Sequence, residues 1–97
     1  MDIRIQSVKF DADAKLLAFV EKKVVKLEKF FDGFLKAEVT LSLLPDNLNK
    51  EVKIRLQVPG DDIYVSRNAK SFEDATIECV DILKGQLVKM KEKKFGK

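Results

Sequence analysis

The chain has 97 residues, room for one domain with one core. With 45% hydrophobic and 36% charged residues it reads as a globular chain with a heavily charged surface, not a disordered one. The net charge is only +3; a single cysteine excludes an internal disulfide framework, and with no histidine little is left for a zinc or haem site or for acid–base catalysis near neutral pH.

Ile3 and Ile5 alternate with Asp2, Arg4 and Gln6, the pattern of a half-buried strand. Val8 and Phe10 continue in the opposite phase, which predicts a bulge or strand end near Ser7. Asp11 or Asp13 then caps a helix over residues 14–31, in which Leu16, Leu17, Val20, Val24, Leu27 and Phe31 share one apolar stripe. Gly33 is expected to close that helix as its C′ residue.

Ala37, Val39, Leu41 and Leu43 alternate with polar residues and predict a second strand. After the turn-forming run Pro45–Lys50, Val52, Ile54, Leu56 and Val58 predict a third. Pro59-Gly60-Asp61-Asp62 is a tight connection to a short fourth strand over residues 63–66. Asp61 and Asp62 read as turn formers. Tyr64, on the strand face opposite Ile63 and Val65, reads as sheet-surface packing more than as a base-stacking ring.

Ser71-Phe72-Glu73-Asp74 resembles a capping box and starts a helix that runs to about Lys94. Its core face is Phe72, Thr76, Cys79, Val80, Leu83, Leu87 and Met90, with Gly85 on the opposite side. Cys79 therefore reads as a small buried hydrophobe. The order β-α-β-β-β-α predicts an α+β fold with a four-stranded sheet. A right-handed crossover makes strands one and two parallel, and two roughly parallel helices cover one face.

The sequence shows no Gly-rich phosphate loop, nucleophile elbow, paired-cysteine motif, signal peptide or apolar run of membrane-spanning length, so neither a cofactor nor a metal is expected. These absences argue against an enzyme, including a small phosphatase-like α/β enzyme with a site on the sheet. The distribution of charge is more informative than its total. Residues 84–97 hold six lysines against Glu92, and residues 15–29 hold five against Glu21 and Glu28. On the first helix Lys15, Lys22, Lys26 and Lys29 fall within about 60° of arc, with Lys23 between them and the core edge, while both glutamates lie on the other flank. Phe19 and Phe30 project on the lysine flank. An ordinary solvated face, with the two phenylalanines covering the core rim, is the plain alternative.

Two neighbouring helices with outward lysines, however, suit phosphates. The 16 lysines and 3 arginines favour contact with a sugar–phosphate backbone over reading of base edges, because lysine is a flexible point charge and arginine a planar fork. Folded RNA or another polyanion is the expected target, and a general double-stranded-RNA module is one form it could take.

Three segments also resemble a known family. Phe19-Val20-Glu21-Lys22-Lys23-Val24-Val25-Lys26-Leu27-Glu28-Lys29-Phe30-Phe31 is similar to the first-helix signature of the ribosome hibernation promoting factors, also called ribosome-associated inhibitors or the sigma-54 modulation family. Val58-Pro59-Gly60 through Ile63-Tyr64-Val65-Ser66 resembles that family's third-to-fourth strand hairpin. Ser71-Phe72-Glu73-Asp74-Ala75-Thr76-Ile77, with Asp81, Leu83, Gln86-Leu87, Lys89, Lys91 and Lys93, resembles its second helix.

The resemblance implies a double-stranded-RNA-binding-domain-like fold over residues 1–97 and a cytoplasmic, non-enzymatic factor. Such a factor binds the small ribosomal subunit and its ribosomal RNA where messenger and transfer RNA sit, inhibiting translation and protecting idle ribosomes in stationary phase or stress. It implies no small-molecule substrate and no membrane. Basic positions matching the family are Lys22, Lys23, Lys26 and Lys29 on the first helix and Lys89, Lys91 and Lys93 on the second; Lys84 and Lys94 extend the same lysine-rich end. The family often carries a basic residue where this chain has Ile82 and commonly Arg where it has Gly85; neighbouring Lys84 supplies a charge there. With the chain ending at Lys97, the expectation from the resemblance is that bound ribosomes either pair through a separate dimerising factor or do not pair.

Overall fold

The computed structural model describes residues 1–33, 35–45 and 47–96, with side chains described through Lys91 outside the two gaps. Strand β1 (Asp2–Val8) leads to helix α1 (Ala14–Val25), which continues as a 3-10 turn, Lys26–Phe30. Strands β2 (Lys36–Leu43), β3 (Lys50–Val58) and β4 (Asp61–Ala69) follow, and helix α2 (Phe72–Gly96) ends the order. The sheet order is β1-β2-β3-β4. β1 runs parallel to β2 with Ile5 opposite Val39, and the other pairs are antiparallel. Each helix returns against the strand before it, and β1, β2 and β4 point the same way, so the two helices run in the same direction. The β-α-β-β-β-α architecture is the one expected.

Strand alternation builds the core. Ala37, Val39 and Leu41 of β2 and Val52, Ile54, Leu56 and Val58 of β3 are buried on one sheet face. Val20, Val24 and Leu27 meet them from the first helical segment, and Phe72, Ala75, Cys79, Leu83 and Leu87 from α2. Burial pushes the Cys79 thiol up to about 12, and its Sγ donates to the Val52 carbonyl at 3.4 Å. It is a buried thiol, not an activated nucleophile. Thr76 Oγ1 is buried with no hydrogen-bond partner among the described residues.

The caps are local. Asp13 Oδ1 accepts from Leu16 N at 2.8 Å, which settles the choice between Asp11 and Asp13. Ser71 Oγ accepts from Asp74 N at 3.1 Å at the start of α2. The two-residue turn Pro59-Gly60 puts Gly60 at φ +82°, the left-handed value a type II turn requires after proline.

Of the bulge or strand end expected near Ser7 the structure has the strand end: β1 runs unbroken to Val8, and Lys9 at φ +70° turns the chain so that Phe10 stacks on Phe72 with ring centroids 4.8 Å apart. Three details differ from the expected elements. Leu17 lies at the rim, exposed, outside the buried stripe. Gly33 is not a C′ residue, because the 3-10 turn ends at Phe30 and Phe31 is already extended. β4 continues from residue 66 to Ala69, as β3 offers a paired backbone whatever the side chains.

Gly85 is exposed in the middle of α2, and a Cβ there would meet nothing within 4 Å. Replacing it with Ala is therefore expected to raise stability by about 1 kcal/mol, a gain in Tm of roughly 4–8 °C by thermal denaturation.

Candidate nucleic-acid interface

The seam between the two helical segments is open toward solvent as a cleft of about 280 Å³. Lys23, Lys26, Leu27, Lys29 and Phe30 form one wall; Ile77, Val80, Asp81 and Lys84 form the other. Leu27 is fully buried beneath it, and Ile77 is partly exposed. Four ammonium groups thus border an apolar floor, opposed by one carboxylate.

The 3-10 turn produces this arrangement. In a continuous α-helix a residue three places on is rotated by about 60°, which would carry Lys29 away from Lys26. At three residues per turn the two eclipse, as do Leu27 and Phe30. The tighter winding therefore keeps Lys29 on the cleft wall and Phe30 above Leu27. On α2, Ile77, Asp81 and Lys84 stand at i, i+4 and i+7 on one stripe.

Among the described residues, no ion pair engages these lysines. Four acids are paired elsewhere: Glu28 with the Met1 amino group at 2.9 Å, Glu78 with Arg67 at 3.8 Å, and Glu38 and Asp62 with Arg55 at 3.3 and 2.8 Å. Two cleft ammonium groups rest on aromatic rings instead. Lys23 Nζ lies 5.5 Å from the Phe19 centroid, and Lys84 Nζ crosses from α2 to lie 5.1 Å from that of Phe30. Such exposed contacts are worth about 0.5–1 kcal/mol and are readily exchanged for an anion.

The expected basic residues divide into four groups. Lys23, Lys26, Lys29 and Lys84 converge on the cleft. Lys22 is exposed on α1 outside the lining, and Lys91, two turns beyond Lys84, continues its side of α2. Lys89 is exposed but lies about 140° around α2 from Lys84. The side chains of Lys93 and Lys94 lie outside the described residues. Asp81, Ile77 and Val80 did not stand out as part of a site from sequence, although their spacing to Lys84 carried the signal.

The opposite sheet face is electrically balanced. Arg4, Lys36, Lys53 and Arg55 share it with Asp2, Glu38, Glu51 and Asp62. Arg55 is held by Asp62 and Glu38, which raise its pKa, and its guanidinium lies 5.8 Å from the centroid of the exposed Tyr64 ring. Tyr64 is thus not packed down on the sheet. Among the described residues no three His, Cys, Asp or Glu side chains converge as a metal site would need, and no helix is long and apolar enough to cross a membrane.

A family model described as sigma 54 modulation protein / S30EA ribosomal protein matches residues 3–94. The chain belongs to this family. Its members are ribosome-associated factors, a class not known for enzymatic activity. Among proteins, the chain is 27% identical over 95 residues to a ribosome hibernation promoting factor of Azotobacter vinelandii, covering 98% of this chain and 87% of that one. Among solved structures, it superposes on the N-terminal domain of Thermus thermophilus Protein Y with a TM-score of 0.85 at 26% identity, covering 93% of this chain and 99% of that one. A ribosomal subunit interface protein from Coxiella burnetii shares the fold with a TM-score of 0.79 at 19% identity, over 94% and 98% of the two chains.

Proposed function

We propose that this protein is a cytoplasmic translation inhibitor that acts by occupancy: it binds ribosomal RNA in the decoding region of the small ribosomal subunit and so protects idle ribosomes in stationary phase or stress. The observation that carries the reading is the cleft, where four lysines without carboxylate partners among the described residues border one groove between two helices. Unpaired ammonium groups stacked along helices repel one another, at a cost of a few tenths of a kcal/mol for each i,i+3 or i,i+4 pair. A polyanion relieves that repulsion and releases its own condensed counterions. Family membership, and relatives named for ribosome hibernation and the subunit interface, support the ribosome as the source of that polyanion. Lys22, Lys89, Lys91, Lys93 and Lys94 would extend the phosphate contacts along the helices beyond the cleft.

Sucrose-gradient sedimentation of the purified protein with small subunits tests the reading. The protein is expected to travel with the subunit at low salt. Its affinity should fall by orders of magnitude between roughly 50 and 200 mM monovalent salt, as neutralisation of about five to eight phosphates requires. Protein left at the top of the low-salt gradient would sink the proposal. A free RNA duplex that competes on equal terms with the subunit would reduce it to a general double-stranded-RNA module.

A further inference from the structure

The cleft holds more than a phosphate site needs. A surface that only follows a sugar–phosphate backbone gains nothing from an apolar floor and is weakened by a carboxylate among its lysines. Here Leu27, Phe30, Ile77 and Val80 line the cleft, and Asp81 stands beside Lys84 on its wall. Among the described residues Asp81 has no ion-pair partner, so its two oxygens are not committed to neutralising a neighbour.

We infer that the cleft takes one unpaired base of a single-stranded RNA segment, with guanine preferred, and that Asp81 is the residue that selects it. This rests on the proposed RNA-binding reading and assigns the cleft a base-selective role.

A carboxylate offers two acceptors side by side and no donor. Guanine alone among the four RNA bases presents two adjacent donors, N1–H and the N2 amino group, on its Watson–Crick edge. Adenine and cytosine set an amino donor beside a ring acceptor, and uracil flanks N3–H with two carbonyls. The paired acceptors of Asp81 therefore match guanine and leave a repulsive contact with each of the others. Recognition of a splayed-out base by its Watson–Crick edge over an aromatic or apolar surface is a common way of reading RNA sequence. Lys84 gives the site a simple order of events. Without ligand its ammonium rests on the Phe30 ring. An incoming phosphate draws the ammonium off, and the uncovered ring, with the partly exposed Ile77, then carries the base.

The test is a titration of the full chain with the fluorescent pentanucleotides UUGUU, UUAUU, UUCUU and UUUUU at low salt, with amide NMR shifts to locate the contact. The wild type is expected to bind UUGUU about fivefold more tightly than the other three, the low end for a bidentate base contact in an open cleft. Shifts should centre on Phe30 and Asp81. Asp81→Ala should bind all four alike and more tightly than the wild type binds UUUUU, because a negative charge has been removed. Asp81→Asn, which presents one donor and one acceptor, should also lose the preference for guanine. Asp81 is exposed in mid-helix, so both variants should retain the fold.

Equal or absent binding of the four oligomers by the wild type, or a guanine preference that survives in Asp81→Ala, would overturn the inference. Co-sedimentation with ribosomes is a separate readout. Intact co-sedimentation without base preference removes this inference alone, whereas a guanine preference without co-sedimentation keeps the base site and removes the ribosomal target.

Discussion

Changing Lys23, Lys26, Lys29 and Lys84 together to Glu is expected to abolish co-sedimentation with small ribosomal subunits at every salt concentration, while the circular dichroism spectrum stays that of the wild type. The four side chains line one cleft, and among the described residues none is held by a carboxylate, so reversing them turns the border of the groove from cationic to anionic without breaking an ion pair. The milder series, one lysine to alanine at a time, should flatten the dependence of log K on log salt by about one for each phosphate no longer neutralised. Lys36→Glu with Lys53→Glu, on the charge-balanced face of the sheet, is the control and should leave binding near wild type. If the control loses binding and the cleft variant does not, the interface lies on the other side of the molecule.

Leu27→Ala should do the reverse. Leu27 is fully buried where the 3-10 turn meets the sheet and α2, and it also floors the cleft. Truncating a buried leucine to alanine costs about 2–5 kcal/mol, since a cavity is left along with the forfeited transfer energy. For a domain of this size that lowers Tm by roughly 10–30 °C, a large share of a total stability of about 5–15 kcal/mol. Well below its new midpoint the variant keeps its lysines and should still bind subunits. Differential scanning calorimetry paired with low-temperature sedimentation separates the two effects; an unchanged Tm would mean that Leu27 does not anchor the turn.

Most of the fold was legible because each strand shows one apolar side and each helix one apolar stripe. Val52, Ile54, Leu56 and Val58 announce β3 with no ambiguity of phase, and Ser71 announces α2 through its cap. The 3-10 turn was not legible. Val24 and Leu27 are three residues apart, and a buried pair at that spacing fits either winding. The consequence falls on the site: continuous α-helical geometry placed Lys29 with Lys15 and Lys22 on the outer face, whereas the tighter turn carries it to the groove wall with Lys23. The extent of β4 was hidden for a different reason. Ser66, Arg67 and Asn68 look like loop residues, but their backbone pairs with Lys53, Val52 and Glu51, and hydrogen-bonding partners are not written in side-chain polarity. Lysine segregation on the helices pointed to the surface that carries the cleft. The pairing of Glu28 with Met1 and of Glu78 with Arg67, which leaves Asp81 the one carboxylate lining the cleft among the described residues, is a product of tertiary structure.

The balanced sheet face has a consequence for how the molecule meets any large anion. Four acids and four bases cancel on that side, so among the described residues the cluster of lysines without carboxylate partners sits on the helical side, and charge is spread unevenly across the thickness of the protein. In the field of a polyanion such a body experiences a torque as well as an attraction. It arrives already turned, and fewer encounters are spent on the wrong side.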